Sequence, residues 1–385
     1  MAIRIGILGC GAFAQCFIPL FKAHPLVGEL VLCDADERKL RENAAKHAVA
    51  RTCSSLDALC ASDVDAIAIF SQNWLHGPQS LQALRAGKHV YSAVPPGITL
   101  DEIRDLIRAV EETGKVYALG ETSYYYPAVI YCRQKFQEGA FGEVVYAEGC
   151  YYHDWDHGLY DVMKWRAGEN WLWYAGSPPM QYPTHSIGAV LGVTGARLTH
   201  VSCLGFADHH ADGVYAPGAN RWDNTFSNQT ALFRASDGSI VRINEFRRVG
   251  GMGGERSTIV GTQGSFEHSQ TSHHWLPKAG ARVCLDDLLR TGPREVAGRG
   301  LCKDMSQIHP VERLPVEFAG LTNGHAGSHQ FLVDDFVKAA DAGVHPAIDV
   351  WTAARFCAPG LVAIESCRRQ GQLMEVPDFG CRPGS

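Results

Sequence analysis

The chain has 385 residues, 46% hydrophobic and 20% charged, with a formal net charge of −6. That length suits two domains, and the composition is ordinary for a globular protein. An acidic balance excludes the basic face of a nucleic-acid binder, no block of like charge marks an interaction tail, and no apolar run is long enough to span a bilayer.

In chain order, Ile3 to Leu8 reads as a short β-branched strand, followed by glycines and a helical stretch from Phe13 to Ala23. Leu30 to Cys33 is a second strand closed by Asp34, and Glu37 to His47 is a helix charged on one face. Ala66 to Phe70 and His89 to Ala93 are strands on either side of a helix from Ser80 to Ala86. Thr99 caps a helix that runs to Thr113, with Glu102 completing a capping box and Gly114 ending it. Val116 to Leu119 is the next strand. Strand and helix alternating in this way predict a parallel sheet with helices on both faces.

After about Pro127 the pattern changes. A helix from Ala128 to Gln137 leads into Val144 to Tyr152, which alternates at period two. So do Leu198 to Leu204, Thr225 to Arg234, Ser239 to Arg247 and Ser257 to Ile259, with Asp237-Gly238 as a hairpin turn. Gly250 to Gly254 and Pro277 to Gly300 are expected to be loops, and helices are expected at Ser328 to Ala342 and Thr352 to Gln370. The expectation is an α/β N-terminal Rossmann domain over residues 1–122. A C-terminal α+β domain over residues 123–385, with a mainly antiparallel sheet, would supply the substrate site and oligomer contacts. Its last helices are free to pack back on the first domain.

The thirteen cysteines are odd in number and form no C-x-x-C pair, which reads as reduced thiols in a cytoplasmic protein. Met1 to Phe21 imitates a secretory signal in its apolarity. Gly9 and Gly11 nevertheless interrupt the run where a strand must turn into a helix.

Gly9-Cys10-Gly11-Ala12-Phe13-Ala14 is a G-x-G-x-x-A sequence. It follows the first strand and opens a helix, the context in which this pattern binds a dinucleotide. The first glycine permits the tight turn. The second lets a pyrophosphate approach the backbone at a helix N-terminus, which makes Gly9, Gly11, Ala12 and Phe13 cofactor candidates. Asp34, at the end of the second strand, is placed to accept from the adenosine ribose hydroxyls, and its charge favours NAD over NADP. Ser71, Asn73 and His76 follow the strand ending at Phe70, on the side where parallel strands line a ligand crevice. Asn73 is expected to reach the cofactor and His76 to cap the next helix.

These segments together resemble the Gfo/Idh/MocA family of sugar-handling dehydrogenases over nearly the whole chain. The resemblance rests on Gly9–Ala14, Ser71–His76, His89–Thr99 and a Thr184-His185 pair before a helix. Two departures stand out. The family's Glu-Lys-Pro, whose lysine assists proton transfer, is Ala93-Val94-Pro95 here, and valine is neither acid nor base. The family's Asp a few residues before the histidine is Gln181. A narrower branch, the NAD-dependent glycosidases of glycoside hydrolase family 109, is similar at Val94-Pro95, Gly149–Asp154, Trp165-Arg166 and Tyr182–His185. Glu121 also matches a family glutamate near the cofactor.

That branch implies hydrolysis through transient oxidation of a sugar hydroxyl at C3, loss of the C2 proton, departure of the aglycone from C1, water addition and return of the hydride. His185 is the candidate at the oxidised hydroxyl. Tyr151 and His153, two apart on a strand and so on one face, are candidates for proton removal and leaving-group chemistry, with Tyr182 beside them. A cation such as Arg166 or the nicotinamide is expected to lower a tyrosine pKa there. Arg166, Trp165 and Tyr124 are candidate substrate contacts, and Pro95 and Glu121 join the cofactor set. Trp165, Trp171, Trp173 and Tyr174 suit a sugar platform, an interface or core equally. The histidine and aspartate clusters lack metal-ligand spacing, so no metal is expected. The readings left open are a net sugar or cyclitol dehydrogenase and a non-catalytic NAD- or sugar-binding regulator. Partners are expected to be a small sugar or glycoside and further copies of the chain, as a dimer or tetramer, with no nucleic acid and no membrane.

Overall fold

The computed structural model describes residues 2–251, 253–269 and 271–382. Contacts divide the chain into two compact units. The first comprises Met1–Ile130, Leu288–Ala354 and Phe379–Ser385, and the second Tyr131–Asp287 and Arg355–Asp378. A boundary after residue 122 falls inside the first unit.

In the first unit, β1 (Ile3–Leu8), β2 (Val27–Cys33), β3 (Arg51–Cys53), β4 (Ala66–Ile69), β5 (His89–Ser92) and β6 (Tyr117–Leu119) form a parallel sheet in the order β3-β2-β1-β4-β5-β6. The central strands are buried on both faces: Ile5, Ile7, Ala66, Ile67, Ala68 and Ile69 are all fully inaccessible, as a sheet covered by helices requires. The helix Leu100–Thr113 is capped by the Thr99 side chain and closed by left-handed Gly114, as its sequence predicts.

The second unit holds β7 (Val144–Tyr152), β8 (Leu198–Ala207), β9 (Phe226–Ala235), β10 (Ile240–Phe246), β11 (Gly254–Gly261), β12 (Gly264–His268), β13 (His273–Pro277) and β14 (Val283–Cys284). The chain then contributes a hairpin, β15 (Gly292–Val296) and β16 (Gly300–Met305), and the helix His329–Ala342 to the first unit. After the helix Val350–Arg368, β17 (Met374–Glu375) pairs with β8. The resulting nine-stranded sheet runs β14-β13-β12-β11-β7-β10-β9-β8-β17. It is antiparallel except between β7 and β10. One face of β7 packs against the buried helix Thr184–Thr194. The opposite face exposes Leu204, Phe206, Leu232 and Ile240.

Several elements differ from expectation. Phe13–Ala23 is a 3₁₀ turn, Ala14–Cys16, followed by the helix Ile18–Ala23; Pro19 lacks an N–H and is accommodated in its first turn. The helix expected at Ser80 starts at His76, because Pro78 falls in a first turn that leaves its N–H groups unpaired anyway. Pro277–Gly300 is not a loop: it contains β14, the short helix Asp286–Leu289 and the whole of the first hairpin strand, β15. Short elements with weak periodicity, β3 and the helices Leu56–Ala61, Leu159–Ala167 and Trp171–Ala175, leave little sequence signal and were not predicted. Within Gly250–Gly254, Met252 lies outside the described residues, and so does Met1 of the signal-like run.

Candidate functional site

The cofactor candidates lie in the first unit. Gly9 has φ 90°, a conformation that disfavours any side chain, and a Cβ there would meet the Phe70 carbonyl at 2.9 Å. The Asp34 carboxylate accepts from the backbone N–H of Cys10 at 2.8 Å and of Asp36 at 2.9 Å. One acidic side chain thus fixes the glycine turn and stands at the strand end where a ribose binds. The nearby Arg38 is paired with Glu42. The residues present therefore fit NAD.

His76 does not cap its helix with its side chain. It is the first helical residue, and its buried ring spans from the Ser71 carbonyl (3.1 Å) to the Pro95 carbonyl (3.0 Å), tying two loops together. The Val94–Pro95 peptide is cis, and Val94 is buried. Ser71 donates to Gln79, and Asn73 is half-buried in a 3₁₀ turn. Glu121 is fully buried and accepts from Ser123 N at 2.8 Å, capping the turn Thr122–Tyr125. Tyr124, in that turn, is half-buried and lies edge-on to Tyr125.

The catalytic candidates lie in the second unit, and four of them converge. The Tyr151 hydroxyl is 2.9 Å from His153 Nδ1. Ring centroids are 5.2 Å apart for Tyr151 and His185, 5.3 Å for Tyr182 and His185, and 6.0 Å for Tyr151 and Tyr182. β7 carries Tyr151, and His153 follows it, held by its N–H to Phe246 O. His185 stands in the first turn of the helix Thr184–Thr194. That helix approaches β7 at Gly149, where a Cβ would lie 2.1 Å from Ser186 O. A glycine at this position is therefore what brings His185 to Tyr151.

Sheet register adds two glutamates. Tyr151 is the direct partner of Glu245 on β10 and of Glu255 on β11, so the three share a face. Glu255 Oε2 is 4.0 Å from His185 Nδ1. Fully buried Glu245 accepts from Ser186 Oγ at 2.5 Å and from Arg247 at 3.1 Å, and the Arg247 guanidinium lies 5.1 Å from the Tyr151 ring centroid. Sequence reading missed Glu245 and Glu255. The signal was there for Glu245, a carboxylate at the alternate position that follows the buried apolar Val241 and Ile243 on one face of its strand.

The electrostatics follow from this packing. Burial pushes Glu245 up to about 8, with Arg247 and Ser186 opposing it. Burial holds His153 down to about 4, and the charges of Arg247, Arg166 and His185 add to that. Burial also holds the Tyr151 hydroxyl well above its ordinary range, reinforced by Tyr182 and opposed by Arg247. The expected lowering of the tyrosine pKa is therefore not found: the adjacent cation is Arg247, and desolvation outweighs it. Arg166 and Trp165 are exposed on the helix Leu159–Ala167. Trp173 is exposed, whereas Trp171 and Tyr174 are half-buried. Among the described residues no cluster of three or more His, Cys, Asp or Glu side chains is placed to hold a metal. Among the same residues no helix is long and apolar enough to cross a membrane.

A glycine turn held by the carboxylate at the end of the next strand, and a separate sheet bearing acid–base side chains, define a dinucleotide-dependent enzyme. Residues 3–121 match the oxidoreductase family with an NAD-binding Rossmann fold, and residues 129–267 match the GFO/IDH/MocA C-terminal domain. The chain belongs to the Gfo/Idh/MocA oxidoreductase family, and its cofactor is NAD. It is similar to a glycosyl hydrolase family 109 protein of Saccharopolyspora erythraea, 25% identical over an alignment covering 98% of this chain and 83% of that protein. Levoglucosan dehydrogenase, in a complex with NADH and L-sorbose, has a TM-score of 0.76 at 18% identity and covers 98% of this chain and 99% of its own. Scyllo-inositol dehydrogenase from Lactobacillus casei, solved with NAD(H) and scyllo-inositol, has a TM-score of 0.71 at 17% identity and covers 97% and 99%. At these identities the two structures show the fold.

Proposed function

We propose that this protein is an NAD-dependent glycoside hydrolase that oxidises a sugar hydroxyl transiently and returns the hydride, with no net redox change. The observation that carries the reading is the half-buried cluster of Tyr151, His153, His185 and Glu255 in the second unit. It is joined in sequence by the replacement of the family's dehydrogenase lysine with Val94. The family 109 name of its full-length relatives supports it.

Bound NAD supplies the hydride acceptor and donor for the sugar carbon. His185, 4.0 Å from Glu255, takes the proton of the hydroxyl being oxidised, a role suited to an imidazole beside a carboxylate. Tyr151 and His153 are joined by a hydrogen bond across their 2.9 Å contact. With His153 kept neutral, the pair removes the C2 proton next to the new carbonyl and protonates the departing C1 oxygen. Tyr182 closes the cluster over His185. Arg166 and Trp165 are the substrate contacts: a guanidinium binds a hydroxyl or acidic substituent, and an indole face stacks on a sugar ring. Tyr124 is proposed as a further substrate contact, and Gly9, Gly11, Ala12, Phe13, Asp34, Ser71, Asn73, His76, Pro95 and Glu121 as the cofactor set. The exposed row Leu204, Phe206, Leu232 and Ile240 is proposed to pair with a second copy in a homo-oligomer of the cytoplasm.

The test is a panel of p-nitrophenyl glycosides, followed at the nitrophenol and NADH absorbances together. Nitrophenol release without NADH build-up, lost in His185→Ala, is expected. Stoichiometric NADH from free sugars, with no aglycone release, would instead make the protein a net sugar or cyclitol dehydrogenase.

A further inference from the structure

The first unit holds a histidine cluster with no role so far. The backbone is left-handed at three successive residues: His325 and Ala326, each with φ 49°, and Gly327 with φ 90°. That conformation is sterically costly for two residues bearing a Cβ, so the surroundings must enforce it. Asn323 does so at both ends of its amide. Its Nδ2 donates to Gly327 O at 2.7 Å, and its Oδ1 accepts from Gln330 N at 2.9 Å. A Cβ on Gly327 would meet Asp304 O at 2.5 Å and His309 Cε1 at 2.7 Å. His309 is itself immobilised: Nδ1 accepts from Ser306 N at 2.9 Å and Nε2 donates to Tyr125 O at 3.0 Å.

The turn sets His325 against the glycine loop. The Phe13 ring is edge-on to both His325 (5.5 Å) and His329 (5.7 Å). His329 is fully buried, 4.3 Å from the Phe17 ring, whereas His325 is exposed. His329 Nε2 lies 2.8 Å from His325 Nδ1, and His329 Nδ1 has no hydrogen-bond partner. Burial, with His325 adding to it, pushes His329 down to about 3, so its ring carries a single proton near neutral pH. Placed on Nδ1, that proton would be an orphaned buried donor, which costs more than a bare acceptor. It therefore sits on Nε2 and is donated to His325 Nδ1. His325 in its neutral form then carries its own proton on the other nitrogen, Nε2.

We propose that His325 is a neutral hydrogen-bond donor to the diphosphate bridge of NAD, its tautomer set by His329. A diphosphate held by this motif would lie over the second glycine of the turn, and Phe13 belongs to that turn. No lysine or arginine occurs between Gly9 and Phe17. The turn itself therefore offers the anion uncharged donors, its backbone N–H groups, to which His325 adds an imidazole whose proton has been aimed.

The test is calorimetric titration of the full chain with NAD, ADP-ribose and adenosine. It is joined to nitrogen-15 spectra of the histidine rings with and without ADP-ribose. Asn tolerates the left-handed backbone, so His325→Asn keeps the turn and shortens the side chain beyond reach. It is expected to weaken NAD and ADP-ribose about tenfold, the worth of one hydrogen bond to a charged group, and to leave adenosine unchanged. His329→Phe keeps the aromatic packing and is expected to lose part of the same increment. His325 is expected to be protonated at Nε2, with that signal shifting on ADP-ribose binding. Unchanged ADP-ribose affinity in His325→Asn, an equal loss for adenosine, or a His325 protonated at Nδ1 would each overturn the proposal.

Discussion

Gly149→Ala tests how the catalytic cluster is held together. The added Cβ would lie 2.1 Å from Ser186 O, a backbone atom that cannot swing aside. Real contacts of this kind need at least about 3.2 Å in a close-packed interior, so the helix Thr184–Thr194 must move off β7 by about 1 Å. The neighbouring residue is His185, and Glu245, which bonds Ser186, would be pulled as well. Overpacking of this size costs about 1–3 kcal/mol. For a domain of this size the melting temperature then falls by roughly 3–10 °C. Displacing a catalytic group by about 1 Å costs about a hundredfold in turnover. The assays are thermal unfolding, turnover of the glycoside identified by the panel, and NAD affinity, which should hold because Gly149 belongs to the other unit. Gly250→Ala, where a Cβ meets nothing within 4 Å, is the control. A Gly149→Ala protein with the melting temperature and turnover of the parent would refute the claim that this close approach positions His185.

Other outcomes follow from the same geometry. Asp34→Ala removes both the ribose acceptor and the two backbone hydrogen bonds that shape the glycine turn, so NAD affinity measured by calorimetry should fall by at least about tenfold. Glu255→Gln keeps the shape beside His185 but removes the charge. Turnover should drop about tenfold or more and its acid-side pH midpoint should move down, because the carboxylate favours imidazolium. Burial lowers His153 and His309 to about 4 and His268 to about 3. The unfolded chain binds those protons near pH 6.5 and the folded chain does not, so stability is lost as pH falls from about 6.5 towards 4. Thermal unfolding across that window should show the fall, and His309→Gln should flatten it.

The first unit was legible because its signals are local. Most of its longer strands and helices show their periodicity within a few residues, and Gly9, Asp34, Thr99 and Gly114 act on their immediate neighbours. The same locality explains the pairing of Tyr151 with His153, since two residues apart on extended chain means one face. His76 went differently because its partners, the carbonyls of Ser71 and Pro95, are supplied by two separate loops that the helix pattern does not contain.

What the sequence by itself determined is the Rossmann sheet and its preference for NAD, and it named most of the side chains proposed for catalysis. Tertiary structure alone decided which carboxylates join them. Glu245 and Glu255 reach Tyr151 because β10 runs parallel and β11 antiparallel to β7 in one register, and a slip of one residue would turn both glutamates to the opposite face. The approach of Phe13 to His325 and His329 is of the same kind. Such contacts are set by the packing of segments remote in sequence, and no short-range pattern encodes them.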